Sequence, residues 1–225
     1  MNIKAVIFDM DGLLIDSETV WDEARQLIAA EAGRPWTQAD HIRCMGVSTD
    51  TWAAYMIERL ELSMSLAELR ERVIDHIAAH YEREIPFRPQ AVRVVKWSAA
   101  RYPTALASGS PRRLIDIVTQ ADELRDCFQE ILVADEVGEG KPHPAVYLEA
   151  ARRLGVEPRA CLCLEDSPNG VLSGHRAGMI VINVPDPRYP LTAEEAAYAD
   201  LVLESLDEFS AETVQQMSAL RGVAQ

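Results

Sequence analysis

Lys4-Ala5-Val6-Ile7-Phe8-Asp9-Met10-Asp11-Gly12 sets an apolar run directly against two carboxylates, one residue apart, and a glycine. An apolar run of this length, bounded by turn signals, suits a buried strand. The carboxylates then stand at the strand's C-terminal end, where open parallel sheets place their ligand crevices. Two acids at one sheet mouth repel each other. They are tolerated where a cation lies between them or where one of them moves protons. Alone, an Asp-x-Asp pair is also compatible with a solvated turn, so its meaning depends on its company.

Outward from that stretch, strand-like runs recur at 104–107, 130–133, 161–164, 180–184 and 201–203. Helical patterns at 112–124, 145–154 and 170–177 separate most of them. Alternation of this kind implies βαβ units, a parallel sheet and right-handed crossovers with helices on both faces. The expected fold class is α/β, a Rossmann-like doubly wound sheet. Residues 18–80 have a different texture, helical throughout. Trp21, Ala24, Leu27 and Ile28 recur at helical spacing, as do Trp52, Tyr55, Met56 and Leu60, and then Leu69, Val73, Ile77 and His80. Ser65-Leu66-Ala67-Glu68 reads as a capping box. The expected organisation is a core domain from 1–15 and 89–225, with a helical cap domain inserted at 16–88 on two hinge-like connections.

The 225 residues carry 22 basic and 36 acidic side chains, a formal charge of −14. A field of that sign disfavours nucleic acid and anionic membranes as partners. It permits a small anionic substrate if a metal and local cations reverse the sign inside the site. The hydrophobic share of 48% supports a substantial core. Cys44, Cys127, Cys161 and Cys163 lack the paired spacing of a zinc site and read as buried free thiols, which suits a reducing cytoplasm. No leader and no apolar run of membrane-spanning length is read at any point. A monomer is the working expectation.

Further strand ends supply the company. Ser108 closes the second core strand, in Ala107-Ser108-Gly109-Ser110-Pro111. Lys141 sits in Gly140-Lys141-Pro142-His143-Pro144, a loop entering a helix, and Glu165-Asp166 ends the run at 161–164. In a parallel sheet these ends meet on one edge. Carboxylates and a backbone carbonyl are the hard donors Mg²⁺ prefers. Asp9 can attack phosphorus, and Asp11 can protonate a leaving alcohol and later take a proton from water. Ser108 and Lys141 can hold the equatorial oxygens of a transferring phosphoryl group, with Gly109 and Arg112 nearby. Ser110-Pro111 and Ser167-Pro168 each read as an N-cap with proline in the first helical position. His143, between two prolines, reads as loop-shaping. Taken singly, Ser108, Lys141 and Glu165-Asp166 also suit a turn, a solvated loop and a helix start.

The order of these motifs resembles the haloacid dehalogenase superfamily over essentially the whole chain. Asp9-Met10-Asp11-Gly12 looks like its first motif, Ser108 its second, Lys141 its third and Glu165-Asp166 its fourth. Gly12-Leu13-Leu14-Ile15-Asp16-Ser17-Glu18 and Glu165-Asp166-Ser167-Pro168-Asn169-Gly170 are similar to the branch of sugar-phosphate phosphatases and β-phosphoglucomutases. The resemblance implies a Mg²⁺-dependent phosphatase acting on a small phosphorylated metabolite. Asp9 is then the nucleophile and Asp11 the acid and base. The metal is held by Asp9, Asp166 and the Asp11 carbonyl, while Glu165 orients Lys141 or a metal-bound water. The second aspartate separates phosphatases and mutases from dehalogenases. The mutases carry a histidine where this chain has Trp21, and a cap-loop arginine that residues 45–49 lack, although Arg43 lies just before them. Trp21, Gly46 and Ser48 are therefore the candidates for reading the leaving group. A sugar phosphomutase and a non-catalytic phosphate-binding regulator are the alternatives.

Overall fold

The apolar run at the start of the chain forms β1 (Ala5–Phe8), whose four residues are all buried. The computed structural model describes residues 2–45 and 49–220. Candidates Gly46 and Ser48 lie outside the described residues. Two compact units are present: one runs up to Ile15 and resumes at Phe87, and the other is Asp16–Pro86.

The first unit holds a six-stranded parallel sheet in the order β3-β2-β1-β4-β5-β6. Its other strands are β2 (Thr104–Ser108), β3 (Glu130–Val133), β4 (Cys161–Glu165), β5 (Ile180–Asn183) and β6 (Leu201–Val202). Strands β1, β2, β4 and β5 are buried along their whole length, as a sheet covered on both faces requires. Strand order reverses between β1 and β4, so the crevice beyond their carboxyl ends is a topological switch point.

The helices are α1 (Ser17–Glu31), α2 (Gln38–Cys44), α3 (Thr49–Leu60) and α4 (Leu66–Tyr81) in the second unit. The first unit has α5 (Ala91–Ala99), α6 (Arg112–Gln120), α7 (Ala134–Val137), α8 (Ala145–Leu154), α9 (Pro168–Arg176), α10 (Ala193–Ala196) and α11 (Ala211–Leu220). Helix α6 stops four residues short of the expected end. Ala121 turns extended, and the buried Leu124 that prolonged the apolar pattern belongs to the turn beyond. One core cluster packs Val146, Tyr147 and Ala150 of α8 against Ala5, Ala105, Ala107, Cys161 and Cys163. Both thiols thus face one side, free and buried, and burial pushes Cys161 up to about 12.

In the helical unit the buried stripes are Trp21, Ala24 and Ile28 on α1, Trp52, Met56 and Leu60 on α3, and Leu69, Val73 and Ile77 on α4. Leu27 is exposed because it stands about 100° around the helix from Ile28. Trp21 and Trp52 meet edge to face at 5.8 Å. The buried Arg25 guanidinium lies 5.1 Å and 5.6 Å from their rings and 3.4 Å from Nδ1 of His41. The Ser65 hydroxyl accepts the Glu68 N–H at 3.2 Å, one of the two bonds of the expected capping box. Arg43 stacks over Tyr55 at 4.6 Å. No helix among the described residues is long and apolar enough to cross a membrane.

Candidate active site

Asp9 continues β1 by one residue, and its N–H donates to the Leu164 carbonyl at 3.0 Å. The chain then turns sharply through Gly12, at φ +75°, where a Cβ would lie 1.9 Å from Oδ2 of Asp166. Only glycine permits both that backbone conformation and that approach. The Gly12 carbonyl accepts from the Arg88 guanidinium.

Lys141 enters from the loop before α8, across a cis Lys141–Pro142 bond. Its Nζ donates to Oδ1 of Asp9 at 2.6 Å, to Oε1 of Glu165 at 2.7 Å and to the Ala107 carbonyl at 2.9 Å. Burial pulls this ammonium down, but the two carboxylates outweigh it and hold Lys141 above its ordinary value. Glu165 is fully buried. Its Oε1 also accepts from Tyr147 Oη at 2.7 Å. Its Oε2 accepts the Asp166 and Ser167 N–H groups and the Ser167 hydroxyl. Burial pushes this carboxyl up; Lys141, Tyr147 and the Ser167 N–H more than compensate and leave it ionised.

Asp11 is held from the end of β2 and the loop beyond it. Its Oδ2 accepts Ser110 Oγ at 2.7 Å and Ser108 Oγ at 3.2 Å, while its buried Oδ1 has no partner. Burial, with Glu165 and Asp11 adding to it, pushes the Asp9 carboxyl above its ordinary value against the pull of Lys141, a rise that a bound divalent cation would oppose. Carboxylate oxygens of Asp9, Glu165 and Asp166 lie within 4.8 Å of one another. This crowding of acids around a single ammonium fits a hard divalent cation, and the room Gly12 leaves for Asp166 fits it too. Glu165 already accepts five donors, which leaves its oxygens little room to ligate a metal. A carboxylate fixed by an ammonium, a second carboxyl two residues on and a cation-sized acidic cluster can together support nucleophilic attack with proton transfer.

The structure thus brings Asp9, Asp11, Ser108, Lys141, Glu165 and Asp166 into one cluster. Gly109 lies between the two serines that hold Asp11, with open space where a side chain would be. Arg112 is instead engaged by Glu136 at 2.6 Å and 3.1 Å, a pair that would have to open before the guanidinium could meet another anion. Trp21 is buried in the helical unit. Ser167 caps α9 as expected, accepting the Gly170 N–H. The expectation for Ser110 needs correction: Pro111 is the N-cap of α6, without a side-chain bond, because the Ser110 hydroxyl is taken by Asp11. His143 shapes its loop, accepting the Ala145 N–H on Nδ1. Sequence reasoning missed Tyr147. The available signal was a tyrosine on the apolar face of a helix, whose hydroxyl must find a partner when buried.

A family model described as "haloacid dehalogenase-like hydrolase" matches residues 3–178. A Drosophila melanogaster protein named "Probable pseudouridine-5'-phosphatase" is 37% identical, over 92% of this chain and 91% of its own length. Hexitol phosphatase B of Escherichia coli (strain K12) is 36% identical, over 93% of this chain and 95% of its own. A solved structure of β-phosphoglucomutase from Clostridium difficile superposes with a TM-score of 0.82 over 98% of this chain and 99% of that one. At 22% identity it speaks for the fold alone.

Proposed function

The chain belongs to the haloacid dehalogenase-like hydrolases, and from that premise we propose that it is a Mg²⁺-dependent phosphatase of small sugar or polyol phosphates, working through an aspartyl-phosphate on Asp9. The enzyme class, phosphoric monoester hydrolase, follows the names of its relatives. The observation that carries the reading is the Lys141 ammonium joining Asp9 to Glu165, with Asp11 held beside them by two serines.

In the first half-reaction a carboxylate oxygen of Asp9 attacks phosphorus and the bond to the leaving oxygen breaks. Asp11 gives that oxygen its proton. Oδ1 is the atom suited to carry it, since Oδ2 is committed to Ser108 and Ser110. In the second, Asp11 takes a proton from water as the water attacks the acyl phosphate, and Asp9 is restored with release of inorganic phosphate. Lys141 balances the charge that builds on the phosphoryl oxygens, and Ser108 with Gly109 orients them. Asp9, Asp166 and the Asp11 carbonyl would hold the Mg²⁺, which when bound offsets the repulsion between an anionic nucleophile and an anionic substrate. Glu165 orients Lys141. We assign the helical unit the role of a cap that reads the leaving group, with Trp21, Gly46 and Ser48 as candidates. Four free, buried thiols favour a cytoplasmic setting.

The test is phosphate release, with Mg²⁺, across hexose, hexitol, pentose, glycerol and nucleoside monophosphates, including β-glucose 1-phosphate. Release from one or several members is expected, and Asp9→Asn should lower it by roughly 10³-fold or more. Near wild-type turnover by Asp9→Asn would remove the nucleophile assignment. Isomerisation of the hexose 1-phosphate without net release would replace the phosphatase with a mutase.

A further inference from the structure

We propose that Tyr147 is a positioning residue for Lys141, setting where the ammonium stands against Asp9 through its hydroxyl on Glu165 and through its ring face. Only the consequence for turnover rests on the phosphatase reading; the placement of the ammonium stands apart from it.

Tyr147 lies in the first turn of α8 and is fully buried. Its hydroxyl donates at 2.7 Å to Oε1 of Glu165, the same oxygen that Lys141 Nζ meets at 2.7 Å. Its ring centroid is 5.0 Å from Nζ, a cation–π distance. The ammonium is thus enclosed by Asp9, Ala107, Glu165 and the face of Tyr147.

A lysine head is a compact point charge on a flexible stem, with no directional preference of its own. Its position is therefore decided by its acceptors. Glu165 is held from the α9 side, where three donors meet Oε2 and a Cβ on Gly170 would lie 1.8 Å from Oε1. Tyr147 supplies the second donor on Oε1 and shares its charge with Lys141. Without that hydroxyl, Oε1 offers more charge to Nζ and draws it away from Asp9. Packing alone explains a buried ring here but not the hydroxyl: phenylalanine would fill the same space.

The experiment compares full-length wild type with Tyr147→Phe. The chain has only three lysines, Lys4, Lys96 and Lys141, so lysine labelled with ¹⁵N at Nζ gives three ammonium signals. Lys141 is the enclosed one, 11% exposed. In Tyr147→Phe its signal should shift and its protons exchange at least tenfold faster. With the substrate found in the panel, kcat should fall about tenfold and KM stay within twofold, the pattern of an interaction made in the transition state. A Lys141 signal and exchange rate unchanged from wild type overturn the proposal, whatever the turnover. Turnover equal to wild type with a shifted signal overturns its catalytic half. Wild-type protein grown with 3-fluorotyrosine is the second readout, needing no substitution. Its more acidic hydroxyl should also move the Lys141 signal, and an unmoved signal overturns the proposal even if Tyr147→Phe does not fold. If wild type releases no phosphate from any substrate, the phosphatase reading falls while the Lys141 signal still decides the role of Tyr147.

Discussion

At Gly170 the missing side chain lets α9 begin on top of a buried carboxylate. A Cβ there would lie 1.8 Å and 1.9 Å from Oε1 and Cδ of Glu165, far inside any contact distance. Glu165 cannot retreat, because its two oxygens already accept five donors. Gly170→Ala should therefore cost about 2–4 kcal/mol, the combined range for overpacking and a disturbed buried charge pair. Urea unfolding measures it. Gly140→Ala, with nothing within 4 Å of its Cβ, is the control and should stay within about 0.5 kcal/mol. Equal stability of both variants would mean that α9 does not approach Glu165 this closely. At this scale the sequence was legible wherever a residue's role is set by its neighbours in the chain. Asp9, Asp11 and Asp166 announce themselves just beyond strand ends, and Lys141 in the loop that enters α8. Ser110 and Tyr147 do not, because their partners Asp11 and Glu165 lie 99 and 18 residues away.

Among the elements, three loops of the first unit are tied by one buried carboxylate. Asp186, just beyond β5, accepts from Arg188 at 2.6 Å and lies 3.5 Å from Arg88. Arg88 also reaches the Gly12 carbonyl, and its own N–H donates to the Leu14 carbonyl at 2.8 Å, so the clasp extends to the turn that carries Asp11. Burial pushes the Asp186 carboxyl up, but Arg188 and then Arg88 hold it below the ordinary range. A carboxyl with a depressed folded value adds stability that is complete above about pH 4, its ordinary value, and is lost as the pH falls through the folded one. Asp186→Asn should therefore lower stability at pH 7 by about 1–3 kcal/mol and leave a shallower acid limb below about pH 4. Melting curves from pH 3 to 7 measure both. The same deficit at pH 3 as at pH 7 would show that the charge contributes nothing. Strands were read nearly residue for residue, because a buried parallel strand is a bare apolar run. Helix ends were read less well. Leu124 continued the apolar period of α6 although the backbone had already left the helix at Ala121.

For the whole molecule the acidic cluster predicts a response to metal. If Asp9 and Asp166 ligate Mg²⁺, the ion binds the folded chain and not the unfolded one. At a hundred times its Kd it should stabilise by about 2.7 kcal/mol. For a chain of this size that is roughly 5–10 °C in Tm. Asp166→Asn should lose most of that gain while keeping the metal-free Tm, and an unchanged Tm in wild type with Mg²⁺ would remove the metal from the site. The sequence by itself determined the parallel α/β sheet, the separate helical texture of residues 18–80 and the gathering of six polar residues on one edge of the sheet. Those properties follow from local hydrophobic period and from parallel topology, which brings all carboxyl ends to one edge. The tertiary structure alone decided which donor meets which acceptor. Lys141 bridges Asp9 and Glu165, Ser110 turns from capping α6 to holding Asp11, Tyr147 stands behind the ammonium and Arg112 pairs with Glu136. The physical reason is that hydrogen bonds act over about 3 Å. Contacts that short depend on how strands and helices pack, and no periodicity in the chain records it.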